Sequence, residues 1–128
     1  GLGKMVAKKK DFIGRLALQR EGIQAEDRPV LVGLLPADGK SKIIGGSQIS
    51  DESSVGADGQ VSAALGWVSS AHYSVEMEHP IALAYVKNGA ERHGQTLYAC
   101  SPVDKAPSVP VIVCSPHMID PSGERHYA

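Results

Sequence analysis

Residues 66–86 read GWVSSAHYSVEMEHPIALAYV, and this stretch decides the fold. Its first part alternates large apolar residues with small or polar ones, and its last part, which begins at Pro80, is a nearly continuous apolar run. Both patterns are typical of β-strands. Because the residue before a proline is kept out of the α region, His79 ends any helical turn between the strands, and Ser74 can accept hydrogen bonds from the N–H groups that follow it. The stretch therefore predicts a strand, a short turn or 3₁₀ segment, and a buried strand.

Four other runs are predicted to be strands, with a turn after the first of them. The strands cover residues 28–35, 43–49, 96–100 and 109–114, and the turn covers residues 36–40. Gly45 and Gly46 predict a tight turn or bulge in the second strand. Pro110 predicts a sheet edge or a bulge in the last, because proline has no N–H for the ladder. Several short strands joined by turns indicate a mainly β fold, a small antiparallel β-barrel or jelly roll. We expect its interior to contain Trp67, Ile81, Leu83 and Val111.

A short helix is expected before the barrel, over residues 12–20. Asp11 is a good N-cap, and Gly22 is placed to end the helix. Its apolar side chains are Phe12, Ile13, Leu16 and Leu18. A helix this short is not stable alone, so we expect it to form, together with residues 69–78, a docking face for other domains.

The length and charge of the chain exclude several classes of protein. With 128 residues it is long enough for one domain, which we assign to residues 28–128, after an N-terminal segment at residues 1–27. The formal net charge of -1 provides no field that attracts nucleic acid. The longest apolar runs are far below the roughly 18 residues of a membrane span, and the first residues lack the pattern of a signal peptide. We therefore expect a cytoplasmic protein that binds neither nucleic acid nor membrane.

Residues that could bind a metal or act as nucleophiles are present without the spacing that such sites need. The metal-ligating types are His72, His79, His93, Cys100, Cys114 and His117. No pair has C-x-x-C or H-x-x-x-H spacing, and the nucleophile elbow G-x-S-x-G does not occur. We expect Ser69 and Ser70 to bond to neighbouring backbone, and both cysteines to be buried free thiols, because cytosolic thiols are kept reduced. We assign no metal ligand and no catalytic residue.

The central stretch resembles a known family. It matches G-x-V-T-S-x-x-Y-S-x-x-x-x-x-P-I-A-L-A-x-V, a pattern of the C-terminal domain of the glycine cleavage T-protein (aminomethyltransferase) family and of its sarcosine- and dimethylglycine-oxidising relatives. The matching residues are Gly66, Val68, Ser70, Tyr73, Ser74, Pro80, Ile81, Ala82, Leu83, Ala84 and Val86. The relatives often carry Leu-Gly where this chain has Met77 and Glu78, which suggests a recast turn.

Two further segments resemble the same family. T-protein-like enzymes have K-x-x-D-F-I-G-[KR]-x-A-L before the C-terminal barrel, and the matching residues are Lys8, Asp11, Phe12, Ile13, Gly14, Arg15, Ala17 and Leu18. The ending P-x-x-x-D-P-x-G-x-R, at residues 116–125, is similar to that of the alpha subunits of heterotetrameric sarcosine oxidases, and so are residues 84–98. The resemblance covers almost the whole chain.

The resemblance implies a fragment of a folate-linked enzyme. Heterotetrameric sarcosine oxidases oxidise sarcosine at a flavin on the beta subunit. The folate-binding half of the alpha subunit transfers the one-carbon unit to tetrahydrofolate, which gives methylenetetrahydrofolate, glycine and hydrogen peroxide. The barrel would complete that half, with FAD, FMN and NAD elsewhere in the complex. The implied partners are the N-terminal domains of the same chain and the other subunits. The isolated domain is expected to be inactive and to self-associate.

The resemblance carries no catalytic residue to this chain, because the pteridine pocket and the acidic catalytic residue of the family lie mainly in preceding domains. Candidates for contact with an anionic cofactor group are Lys8, Lys9, Lys10 and Arg15, and the alternative is a solvated approach to the helix. Alternatives for the whole chain are the C-terminal domain of an aminomethyltransferase or of a dimethylglycine oxidase, and a noncatalytic β-barrel that binds a protein.

Overall fold

The computed structural model describes residues 5–25, 27–52, 56, 60–104 and 106–127. In these ranges, six strands form a closed antiparallel barrel. The strands are β1 (Pro29–Pro36), β2 (Gln48–Ser50), β3 (Gly66–Ser74), β4 (His79–Lys87), β5 (Thr96–Cys100) and β6 (Val109–Cys114). Their order around the barrel is β1, β4, β3, β2, β5, β6, and the pairing of β6 with β1 closes it. The small antiparallel barrel predicted from the sequence is confirmed.

The hairpin of β3 and β4 is confirmed, with residues 75–78 as its turn. The Ser74 hydroxyl accepts a hydrogen bond from the Met77 N–H at 3.2 Å, as the sequence predicted. Glu78 has a φ of 56°, in the region that favours glycine. The glycine of the Leu-Gly pair in the family pattern would therefore fit this backbone conformation. This chain adopts the same conformation with Glu78 at that position.

A β-bulge between Val68 and Ser70 changes which side chains of β3 face the interior. Before the bulge Val68 lies opposite Ala84, and after it Ser70 lies opposite Leu83. Directly opposed residues share a face of the sheet, and one extra residue shifts the alternation by one. Val68 and Ala84 therefore point inward and are buried, whereas Ser70 and Leu83 point outward.

The barrel interior is filled by small and medium apolar side chains. The core consists of Val32, Leu34, Ile43, Ile49, Val68, Ala82, Ala84, Val86, Leu97, Ala99, Val111 and Val113. The interior of an eight-stranded barrel is just wide enough to be filled by side chains, and a six-stranded barrel is narrower. The inward positions of β4 accordingly include two alanines, and its bulky residues lie outside.

The predicted interior residues were right for Val111 and wrong for the other three. Val111 is fully buried, but Trp67 is 49% exposed, and Ile81 and Leu83 are half-buried on the outer face of β4. The apolar run in β4 includes both of its faces. Its composition therefore does not tell which alternate set of side chains faces inward.

The helix predicted over residues 12–20 is wrong. Turns occupy residues 13–16, and they are followed by a 3₁₀ helix at Ala17–Gln19 and by helix α1 at Glu21–Gln24. Gly22, which was predicted to end a helix, lies inside α1. In the described part of the chain, no helix is long and apolar enough to cross a membrane.

Two local features explain why the longer helix does not form. Gly14 has a φ of 95°, outside the helical region. The Asp11 carboxylate accepts from the adjacent Phe12 N–H and does not cap a later turn. The two short helices contact each other rather than packing extensively on a strand, so no apolar surface stabilises a longer helix.

The remaining strand predictions are confirmed to within two residues, apart from two corrections. Residues 43–44 form no strand, although Ile43 inserts its side chain into the core. Pro110 does not mark a sheet edge, because β6 pairs with β1 on one side and with β5 on the other. Pro110 lies just beyond the ladder with β1, whose last pair joins Pro36 to Val111. Two more 3₁₀ helices lie at Gly89–Arg92 and Glu124–Tyr127.

Leu34 and Leu83 give a matched test of the two faces. Leu34→Ala removes a side chain with no exposed surface and should lower the free energy of unfolding by about 2–5 kcal/mol. Leu83→Ala removes a half-buried side chain and should cost less than about 2 kcal/mol. Urea denaturation measures both values. Equal midpoints for the two variants would contradict the assigned faces.

Gly66 is a position where a side chain has no space. An added Cβ would overlap the backbone carbonyl of Tyr85, which cannot move without breaking the ladder. Gly66→Ala should lower the free energy of unfolding by about 3 kcal/mol or more. Gly45→Ala is the control, because an added Cβ there meets nothing within 4 Å, and it should change stability by less than about 1 kcal/mol. If thermal denaturation gives the two variants the same midpoint, the strands are not this close.

Candidate functional site

A groove of about 350 Å³ lies between the outer face of the β3–β4 hairpin and the C-terminal segment. One wall is formed by Ser70 and His72 of β3 with Ile81 and Leu83 of β4, and the other by residues 116–119. The first wall exists because the bulky residues of β4 point outward and the bulge turns the polar residues of β3 to the same side. The groove is therefore mainly apolar, with a hydroxyl and imidazoles as its polar groups.

The C-terminal segment reaches this wall by crossing β1 at Gly33. A Cβ at Gly33 would lie 2.5 Å from the Ser115 carbonyl oxygen and 3.2 Å from the Met118 sulfur. A larger residue would therefore push the segment away from the barrel. The absence of a side chain at this one position allows the second wall of the groove to form.

The end of the segment is fixed by hydrogen bonds and one ion pair. The Asp120 carboxylate accepts from the N–H groups of Glu124 at 3.0 Å and Arg125 at 3.1 Å. Arg125 Nη2 lies 2.6 Å from Glu76 Oε1, in the β3–β4 turn, and this hydrogen bond raises the pKa of Arg125. Both side chains are exposed, so the pair orients the segment more than it stabilises the fold.

A second recess, of about 300 Å³, lies near the end of β3. Its lining combines Lys40 and Lys42, from the segment after β1, with the mainly apolar residues Ile43, Ala71, Tyr73 and Pro80. His72 lines both the groove and this recess. The two cavities therefore share one lining residue, and the second of them also has two lysines in its lining.

The turn that carries the two lysines is ordered by Asp38. Its carboxylate accepts from the Ser41 hydroxyl at 2.6 Å and from the N–H groups of Ser41 and Lys40 at 2.8 and 2.9 Å. These bonds, that of the Ser41 hydroxyl first, lower the pKa of Asp38 to about 2. The turn predicted over residues 36–40 is confirmed, and its backbone is closed by the Gly39 N–H and the Pro36 carbonyl at 2.9 Å.

A row of large side chains crosses the outer surface next to the groove. Leu31, Tyr85 and Trp67 lie opposite one another on β1, β4 and β3. The rings of Trp67 and Tyr85 are 5.5 Å apart, and each of the three side chains is between 39% and 49% exposed. Exposed apolar residues that form a contiguous group often mark a protein interface.

The residues predicted to contact an anionic cofactor group lie in the N-terminal segment and are exposed to solvent. Lys8, Lys9 and Lys10 are exposed, and Arg15 Nη1 lies 3.8 Å from Asp11 Oδ1. Arg15 lines a depression of about 550 Å³ formed by its own segment, whereas the three lysines line neither this depression nor the groove. Their role in binding a cofactor stays a prediction.

The histidines are spread over the surface. Among the described residues, no three His, Cys, Asp or Glu side chains lie close enough together to hold a metal ion. His72 and His117 line the groove, His79 Nδ1 is 2.9 Å from the Pro80 carbonyl oxygen, and His93 is exposed. Two of these imidazoles thus line one cavity, and the other two lie outside its lining.

The nucleophilic side chains have structural surroundings. The Ser69 hydroxyl donates to the Leu83 carbonyl at 3.3 Å, which is the backbone role expected for it. Cys100 and Cys114 are free thiols at opposite ends of the paired strands β5 and β6, and burial raises the pKa of both. Cys100 is fully buried and Cys114 half-buried. Thiols with raised pKa are poor nucleophiles at neutral pH.

Sequence reasoning missed the groove, although its parts are visible in the sequence. Large Ile81, Leu83 and Tyr85 alternate with small Ala82 and Ala84, but only the narrow width of the closed barrel decides that the large set lies outside. The path of residues 115–119 across β1 had no signal in the sequence, because it depends on a contact with a distant glycine.

Comparison with known proteins gives a family model and curated relatives. The model described as the glycine cleavage T-protein C-terminal barrel domain matches residues 30–120. The sarcosine oxidase subunit alpha of Rhizobium meliloti (strain 1021) is 42% identical over 126 residues, which are 98% of this chain and 12% of that protein. That of Corynebacterium sp. (strain U-96) is 35% identical over 125 residues, again 98% of this chain and 12% of the relative. The chain thus spans about an eighth of the length of these relatives.

The titration of Asp38 tests the turn beside the second recess. Its pKa is lowered, so the hydrogen bonds of the turn stabilise the fold above the ordinary value of 3.8, and this contribution is lost as the pH falls through about 2. Carboxyl ¹³C NMR should give a midpoint of about 2 for Asp38, and Ser41→Ala should move it towards 3.8. Ser101→Ala is the control, because that hydroxyl bonds to Asp104. An unchanged midpoint in Ser41→Ala would show that the hydroxyl is not the main cause.

Proposed function

The chain belongs to the family of the glycine cleavage T-protein C-terminal barrel domain, and from this premise we propose that it is the barrel of a sarcosine oxidase alpha subunit. In this proposal the barrel completes the part of the alpha subunit that transfers the one-carbon unit of sarcosine to tetrahydrofolate. The observation that carries it is the 42% identity over nearly the whole chain to a protein about eight times as long. The names of the curated relatives favour this parent over an aminomethyltransferase or a dimethylglycine oxidase.

The barrel would supply a wall of the folate-binding half and leave the chemistry to preceding domains. Its described residues contain no cluster that could hold a metal, and both thiols have raised pKa. The groove and the depression at the N-terminal segment are open to solvent, and the interior is filled by the core. A domain of this kind positions other parts of an enzyme and excludes water from them. FAD, FMN and NAD would be bound elsewhere in the complex.

The N-terminal segment supports docking to another part of the parent protein. Ile13 and Leu16 are almost completely exposed, and Met5, Leu18 and Ile23 are partly or largely exposed. The short helices of the segment do not pack extensively on a strand, so the barrel leaves these side chains in water. We place them against the preceding domains of the parent chain, where their burial would be favourable. In the excised domain the same surface would be buried by self-association.

The parent complex, purified with all of its subunits, tests the proposal. It should produce hydrogen peroxide from sarcosine and, with tetrahydrofolate present, methylenetetrahydrofolate. Replacing Ile13 and Leu16 together by Asp should lower the yield of methylenetetrahydrofolate per peroxide about tenfold or more, because a displaced domain misplaces the folate-binding half. Val103→Asp, at another highly exposed apolar residue, is the matched control and should leave the yield unchanged.

Three outcomes would each contradict a different part of the proposal. A parent complex that oxidises dimethylglycine and not sarcosine would contradict the substrate. Equal yields for the double variant and the Val103→Asp control would contradict docking through the N-terminal segment. Tight binding of tetrahydrofolate to the 128-residue chain alone, measured by calorimetry, would contradict the secondary role of the barrel, because one wall supplies only part of the contacts of a ligand.

A further inference from the structure

The groove and the second recess form one surface with two chemical characters. The groove has an apolar wall of Ile81 and Leu83, and Met118 of the C-terminal segment lies opposite. The lining of the recess adds Lys40 and Lys42 to apolar residues such as Ile43 and Pro80. His72 borders both cavities, so an elongated molecule could lie across β3 and contact the two of them.

The basic side of this surface is not neutralised by the chain itself. Within the described part of the chain, neither Lys40 nor Lys42 is in an ion pair. The carboxylate of Asp38 stays ionised, because its hydrogen bonds to Ser41 lower its pKa, but it lines neither cavity, and the carboxylate of Glu76 is paired with Arg125. Glu78, the other acidic residue of the β3–β4 turn, lines neither cavity. The lining of the recess therefore includes two ammonium groups and no carboxylate.

The apolar side of this surface is completed by the C-terminal segment. Because Gly33 has no side chain, the segment can contact the barrel surface there, and the Arg125–Glu76 pair links its end to the β3–β4 turn. The groove thus exists before any ligand arrives, which lowers the entropic cost of binding. Its volume of about 350 Å³ is at the lower end of the range for sites that bind small molecules.

From these features we propose that this surface binds an amphipathic carboxylate, a small molecule with an apolar body and one acidic end. The apolar body lies in the groove against Ile81, Leu83 and Met118. The carboxylate lies past His72, where the ammonium groups of Lys40 and Lys42 attract it. This proposal goes beyond the proposed function and does not depend on it.

The probe is 4-phenylbutyrate, and 4-phenylbutan-1-ol, with the same body and no charge, is its control. In the 128-residue chain, whose barrel is closed by its own strands, methyl NMR should show shifts at Ile81, Leu83 and Met118 with the acid. The core methyls of Leu97 serve as the internal reference and should not shift. The alcohol should cause the same shifts at higher concentration, because it lacks the attraction of the lysines.

Charge variants separate the two ends of the site. Lys42→Gln should weaken binding of the acid about 2- to 5-fold, the range expected for one exposed charge pair, and should not change binding of the alcohol. Lys87→Gln, a lysine that lines neither cavity, is the control and should have no effect. The proposal is overturned if the acid causes no shifts at millimolar concentration, if acid and alcohol bind equally, or if Lys42→Gln behaves like Lys87→Gln.

Discussion

The backbones of β3 and β4 approach each other so closely at Gly66 that no side chain fits between them, and the rest of the structure depends on this contact. A Cβ at this position would overlap the Tyr85 carbonyl, so the first residue of β3 has to be glycine. The contact sets the register of the hairpin, with Gly66 opposite Val86 and Trp67 opposite Tyr85. Because this register places Val86 in the core, it also places both aromatic rings on the outside.

The narrow interior has a further consequence for the outer surface. A barrel of six strands has room for alanine and valine on β4, so the large apolar residues of the same strand must lie outside. The bulge after Val68 then brings Ser70 and His72 to that side. The outer face of the hairpin therefore combines apolar side chains with polar groups at its edge, a composition that is common in ligand and protein interfaces.

The parts of the fold that could be predicted from the sequence are those with local causes. The β3–β4 hairpin follows from the strand patterns and from the proline after His79. The side chains of Ser74 and Asp38 accept hydrogen bonds from backbone N–H groups only a few residues away. The faces of β4 could not be predicted from its nearly continuous apolar run, because they depend on the width of the closed barrel. The helix over residues 12–20 was expected from its N-cap and its apolar pattern. It does not form, because no strand of the barrel packs extensively against this segment and because the φ of Gly14 lies outside the helical region. The groove depends on a contact between Gly33 and the C-terminal segment, which are far apart in the sequence.

The ending D-P-x-G-x-R, which resembles the tail of sarcosine oxidase alpha subunits, has a physical role in this structure. Asp120 and Gly123 have φ angles of 46° and 75°, which turn the chain so that the Asp120 carboxylate can accept from the N–H of Arg125. The Arg125 side chain then reaches Glu76 in the β3–β4 turn. The acidic residue, the glycine and the arginine thus act together to hold residues 116–119 over the hairpin. The ending that resembles the tail of sarcosine oxidase alpha subunits therefore helps, together with Gly33, to form the second wall of the groove.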